Sequence, residues 1–239
     1  MMETEEAKDD RSLAIERAFK FEGALVAEQK LEAIAHAEGD EAVAKIARNL
    51  KPSSITEIVR EGDVVKPSLL HGTITPEQFI TTFRTIGIRW GAAAQDDCSS
   101  YTLHCFQEEL KQSFAAFFLA TDDKSRREAL VRALLNEDNG TEAIAFSVIH
   151  ETKELEDFIN GEPSSEDDWR EGLAFIRDTF KEEWFGILRY ITEARGNRYR
   201  TFVHRVAAEM YAIALVESGQ EPQGKVEEKE NDDLFKPLP

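Results

Sequence analysis

Seven large apolar residues, Trp169, Leu173, Ile176, Phe180, Trp184, Ile187 and Ile191, advance along the chain by steps of 4, 3, 4, 4, 3 and 4. An α-helix gathers such a series on one face, whereas a strand would scatter it over both. The spacing predicts one long helix from about 166 to 195 with its stripe buried. Gly196-Asn197 then reads as a tight reversal. Tyr199, Phe202, Val203, Val206, Met210 and Ile213 give a returning helix its own stripe, so residues 166 to 217 are expected to form a long antiparallel helical hairpin.

The same period runs through most of the chain, and alternating patterns are scarce, which predicts an all-α multi-helix bundle. A first helix fits about 10 to 37 and ends near Gly39; Asp40 then caps a short helix through Val43, Ile46 and Leu50. Lys51-Pro52-Ser53 breaks it, and Ser54 with Glu57 forms a capping box for a further turn or two, stopped by Gly62. The segment from Glu41 to Arg60 has the outline of a helix-turn-helix, but it lacks a turn glycine and a basic second helix, so ordinary helix packing is expected. Residues 63 to 74 show no period. Thr75-Pro76-Glu77-Gln78 is a strong helix start, leading into Phe79 and Phe83.

From Gly87 to Ser99 the period fails again, which predicts a flexible loop. Leu103, Phe106, Leu110, Phe114 and Phe117 then form an apolar stripe, and Ser125 with Glu128 caps the next helix, through Leu130, Leu134 and Leu135. Asn139-Gly140 ends that helix. Thr141 restarts one that should run through Ile144, Val148, Leu155 and Phe158 to Gly161, and Ser165 followed by three acids caps the long helix. A helical domain is therefore expected over 10–217, with 63–74 as the place where it would divide, between an acidic tail at 1–9 and a disordered acidic tail at 218–239.

Charge narrows the partners. The chain has 239 residues and a formal net charge of −18. Such a field repels phosphate backbones, so general nucleic-acid binding is not expected, although an acidic nucleic-acid mimic is one class it would suit. No apolar run is long enough to span a membrane, and the acidic N-terminus is unlike a signal or transit peptide, so a soluble cytoplasmic protein is expected.

Against this background one segment is basic. Arg189, Arg195, Arg198, Arg200 and Arg205 oppose only Glu193 between positions 188 and 205, a net of +4. Arg195, Arg198 and Arg200 are the candidate binding residues, since guanidinium forks match carboxylates and phosphates. The alternative expectation is internal neutralisation by the nine acids of residues 151 to 171. The spacing Arg198-x5-His204 resembles the Arg-x(4 to 6)-His signature of the HEPN ribonuclease families, small helical bundles with the motif on a late helix. That resemblance covers seven residues and departs from the usual pattern at Tyr199; it implies His204 as general acid or base and Arg198 as stabiliser of the scissile phosphate.

Other catalytic signatures are missing: there is no GxGxxG, P-loop, GxSxG or HExxH. Cys98 and Cys105, with His104 between them, are neither a disulfide framework nor a metal knuckle. None of the five histidines has a Glu three residues before it, and His150 with Glu151 and Glu154 reads as an exposed helix face rather than a ligand set. No metal or cofactor is expected. In the tail, Leu234 and Phe235 form an apolar pair. Asn231-Asp232-Asp233-Leu234-Phe235 resembles the short peptide by which bacterial replication and repair proteins dock on the sliding clamp, matching at Asp233, Leu234 and Phe235; the alternative is that the pair folds back on the chain's own body. The expectation from sequence is thus a non-enzymatic helical interaction or regulatory protein with a protein partner, using the Arg-bearing end of the hairpin and the 87–99 loop.

Overall fold

The computed structural model describes residues 10–61, 68–96, 99–160, 168–195, 199–217 and Gly219, and among these every regular element is helical. Twelve helices follow in order, with no strand among the described residues: α1 (Asp10–Glu22), α2 (Ala24–Glu38), α3 (Asp40–Asn49), α4 (Pro52–Glu61), α5 (Pro76–Asp96), α6 (Ser100–Leu119), α7 (Lys124–Leu135), α8 (Gly140–Val148), α9 (Thr152–Asn160), α10 (Asp168–Thr179), α11 (Lys181–Ala194) and α12 (Tyr199–Glu217). The all-α bundle read from the period is what the chain forms. Its buried apolar side chains make one cluster running from Ile15 in α1 to Met210 in α12. Among the described residues no helix is long and apolar enough to cross a membrane. The expected tails at 1–9 and 218–239 lie outside the described residues, Gly219 apart.

The starts of α5, α6 and α7 carry local side-chain caps. At the head of α5, the Thr75 Oγ1 accepts from the Gln78 N–H at 3.2 Å while the Thr75 N–H donates to Gln78 Oε1 at 3.0 Å. This is the reciprocal capping box that the sequence predicts. The Gln78 amide also donates to the Ala47 carbonyl at 2.6 Å, tying the start of α5 to the end of α3. Two other starts lie earlier than expected. Pro52, not Ser54, opens α4, and Asp123, whose side chain accepts from the Arg126 N–H at 2.8 Å, replaces Ser125 as the cap of α7. The region from 41 to 60 packs inward through Val43, Ile46, Ala47, Leu50, Ile55 and Ile58.

Three expected long helices or loops are divided differently. The helix expected over 10–37 breaks at Gly23, whose φ of 96° is open to glycine and closed to most other residues. Its N–H still donates to the Ala18 and Phe19 carbonyls, which satisfies the frayed end of α1. The helix expected from Thr141 to Gly161 turns at Ile149–Glu151, so α8 and α9 are separate. The long helix expected over 166 to 195 breaks at Phe180, with φ −121° and ψ 68°. All seven stripe residues are buried, as predicted, but α10 packs on α6 and α11 packs on α8. One straight rod could not satisfy both, and the hydrogen bonds Phe180 N–H to Ile176 and Trp184 N–H to Phe180 bridge the joint at 2.7 and 2.9 Å.

The expected loop over 87–99 is corrected as far as Asp96, because α5 is 21 residues long and continues to that residue, while 97 and 98 lie outside the described residues. Gly87 and Gly91, within that segment, lie one turn apart and face α12. A Cβ on Gly87 would stand 3.5 Å from the Met210 carbonyl oxygen, and one on Gly91 would collide with the Tyr211 Cβ. Gly91 lets the two helices approach, while a side chain at Gly87 would meet α12 at ordinary contact distance.

Candidate functional site

The arginines between 188 and 205 separate into committed and open sets. Arg205, on α12, donates from Nη2 to Glu142 Oε1 of α8 at 3.0 Å and from Nη1 to both Glu209 oxygens at 2.8 and 2.9 Å. Burial works against the charge on Glu142, yet bonds from Arg205 and Tyr190 outweigh it and hold the carboxyl below its ordinary value. Burial and the neighbouring Glu142 push Glu209 the other way. Arg189 lies 4.0 Å from Glu193 and over the Tyr190 ring. Neutralisation is therefore real for Arg205 and Arg189, but by Glu142, Glu209 and Glu193. Among the described residues, the acids of 151–171 take no part in it.

Arg195 and Arg200 remain. Both are exposed, and among the described residues neither has a carboxylate partner. Arg195 is the C-cap of α11, its N–H donating to the Ile191 carbonyl at 3.0 Å, where a cation suits the negative end of the helix dipole. Arg200 sits in the first turn of α12, a turn without any acid, where the dipole disfavours positive charge. Its Nε donates to His204 Nε2 at 3.4 Å, one turn on. Burial, and then the charge of Arg200, lower the pKa of His204, consistent with a neutral ring that accepts this contact. Arg195 at the end of α11 and Arg200 in the first turn of α12 are thus exposed guanidiniums with no carboxylate partner among the described residues. Arg198 lies outside the described residues, as do Leu234 and Phe235, so the Arg198–His204 pairing and the tail peptide have no geometry here.

A second constellation was set aside by the sequence reading. α6 carries His104, Glu108 and Lys111 on successive turns, and the turn between α8 and α9 brings His150 and Glu151 against them. His150 Nε2 lies 2.6 Å from Glu108 Oε1, Lys111 Nζ donates to the same oxygen at 2.8 Å, and Lys111 also binds Glu151. The His104 and His150 rings meet edge to face at 5.0 Å. His150 is not on an exposed face: only 11% of its side chain is accessible. Burial opposes charge on Glu108, but the bonds from Lys111 and His150 prevail and bring its pKa down to about 2. Burial lowers His150 despite the carboxylates around it. The pair His104 and Glu108 at i, i+4 was visible in the sequence; the third member, 42 residues beyond Glu108, was not. Cys105 is a free thiol, and Cys98 lies outside the described residues.

No family model, curated protein or solved structure matches the chain. The functional reading therefore rests on these side chains alone.

Proposed function

We propose that the chain is a helical binding protein whose partner surface is the corner between α11 and α12, and that it recognises an acidic segment of a protein partner through Arg195, Arg200 and the adjoining Arg198. One observation carries this reading: in a chain of net charge −18, these two described arginines stand exposed without a carboxylate partner while Arg205 beside them is doubly paired. Arg200 in particular occupies a position that helix electrostatics disfavours, so its charge there gains nothing for the fold. Guanidinium forks desolvate readily and bind carboxylates in pairs, which favours an acidic peptide over a lone ion. Residues 87–96 drop out of the surface as a flexible loop, because they continue α5, which meets α12 at Gly87 and Gly91.

A labelled Asp/Glu-rich peptide is the probe. Saturable binding at about 100 µM or tighter, weakening as salt is raised, is expected for the wild type. Replacing Arg195, Arg198 and Arg200 together by Gln should abolish it. Mixed RNA provides the opposing arm: cleavage that disappears in His204→Ala would overturn the binding reading and establish a HEPN-like ribonuclease using Arg198 and His204.

A further inference from the structure

We propose that His104, Glu108 and His150 form a binding site for one divalent transition-metal ion of the zinc type. Their ligand atoms all lie within 4.8 Å of one another, two from α6 and one from the α8–α9 turn. A helix presents residues at i and i+4 on one face, and the turn closes over that face, so three donors converge from two directions. Two imidazoles and one carboxylate are a borderline donor set. It suits Zn²⁺ and its neighbours Co²⁺ and Ni²⁺, whereas Ca²⁺ and Mg²⁺ require shells of oxygen. Three protein ligands leave a fourth position for water, or for Glu151, whose Oε1 is 3.4 Å from His150 Nε2.

A plain ion-pair knot does not account for the whole cluster. Lys111 answers the charges of Glu108 and Glu151, but it leaves the His150 Nδ1 buried with no hydrogen-bond partner among the described residues. It also gives no reason for a second imidazole, His104, at the edge of the first. A metal ion answers the second point, since two imidazoles and a carboxylate that converge on one place are ligands. Lys111 then takes on a definite role. Its ammonium occupies the cation's place between the two carboxylates in the metal-free protein, and metal entry displaces it.

The test uses the full chain stripped with chelator, then titrated with Zn²⁺ by calorimetry and with Co²⁺ by visible absorption. One equivalent should bind with a Kd of about 10 µM or below, and Mg²⁺ should not compete. His104→Gln and His150→Gln should each weaken Zn²⁺ binding by about tenfold or more. His104 is exposed, so its variant reads binding free of any folding defect. Lys111→Met separates the site from a structural knot: the variant should melt earlier than wild type without metal, bind Zn²⁺ more tightly, and recover its melting temperature when Zn²⁺ is added. Absence of saturable binding, binding that survives both histidine substitutions, or a Lys111→Met protein that Zn²⁺ fails to rescue would each overturn the proposal.

Discussion

The two ends of α12 are built to different rules. Toward its C-terminal end the helix lies against α5, with Met210 and Ala214 buried over Gly87 and the Tyr211 side chain filling the space that Gly91 leaves. One turn earlier Arg205 is pinned between Glu142 and Glu209. At the N-terminal end, Arg200 projects from the first turn without an acidic partner among the described residues, and Tyr199 beside it is 39% exposed. The lesson is that charge identity does not separate structural from available arginines. Their partners do, and those come from the acid one turn on along the same helix or, for Arg205, also from Glu142 of the helix it meets.

The contrast breaks most readily at the packed end. Met210→Ala should destabilise the chain by about 2–5 kcal/mol, the usual range for emptying a buried site that relaxes only partly. Urea unfolding measures it, and a change within experimental error would mean that the α5–α12 seam is not core. Gly91→Ala comes next, at about 1–3 kcal/mol, because the new methyl meets the Tyr211 Cβ rather than a flexible tip. If that variant is neutral or stabilising, Gly91 is a loop-type glycine after all and the close approach is not needed. Glu142→Gln should cost less, about 1 kcal/mol, since the Arg205 side chain is 43% exposed and Glu209 remains to hold it. An unchanged melting temperature there would put Arg205 in the open set with Arg195 and Arg200.

How far the sequence reaches can be judged at particular residues. The Thr75–Gln78 capping box was legible because every atom in it is supplied by four consecutive residues. The burial of the stripe from Trp169 to Ile191 was legible for a similar reason, since period reports which side of a helix faces inward. The break at Phe180 was not, because it depends on what each half is buried against, α6 for one and α8 for the other. Gly87 and Gly91 carry opposite meanings in a loop and at a helix crossing, and only the presence of α12 decides between them. The candidate sites follow the same logic. The basic corner could be read as an excess of local charge, and the pairs Arg189–Glu193 and Arg205–Glu209 each lie one turn apart on a single helix, but the tie from Arg205 to Glu142 required the fold. The His150 cluster joins residues of α6 to a turn some forty positions away, and no local pattern announces such a contact.

The smallest expected effect on stability belongs to the corner itself, and it bears most directly on the central claim. The triple substitution Arg195→Gln, Arg198→Gln and Arg200→Gln should shift unfolding by no more than about 0.5 kcal/mol, the usual range for surface substitutions. The same protein should lose the salt-sensitive binding of an Asp/Glu-rich peptide that the wild type shows. Measuring both quantities on one preparation decides the matter: retained stability with lost binding is the predicted result. A triple variant that melts much earlier, or one that binds the peptide as well as the wild type does, would contradict it.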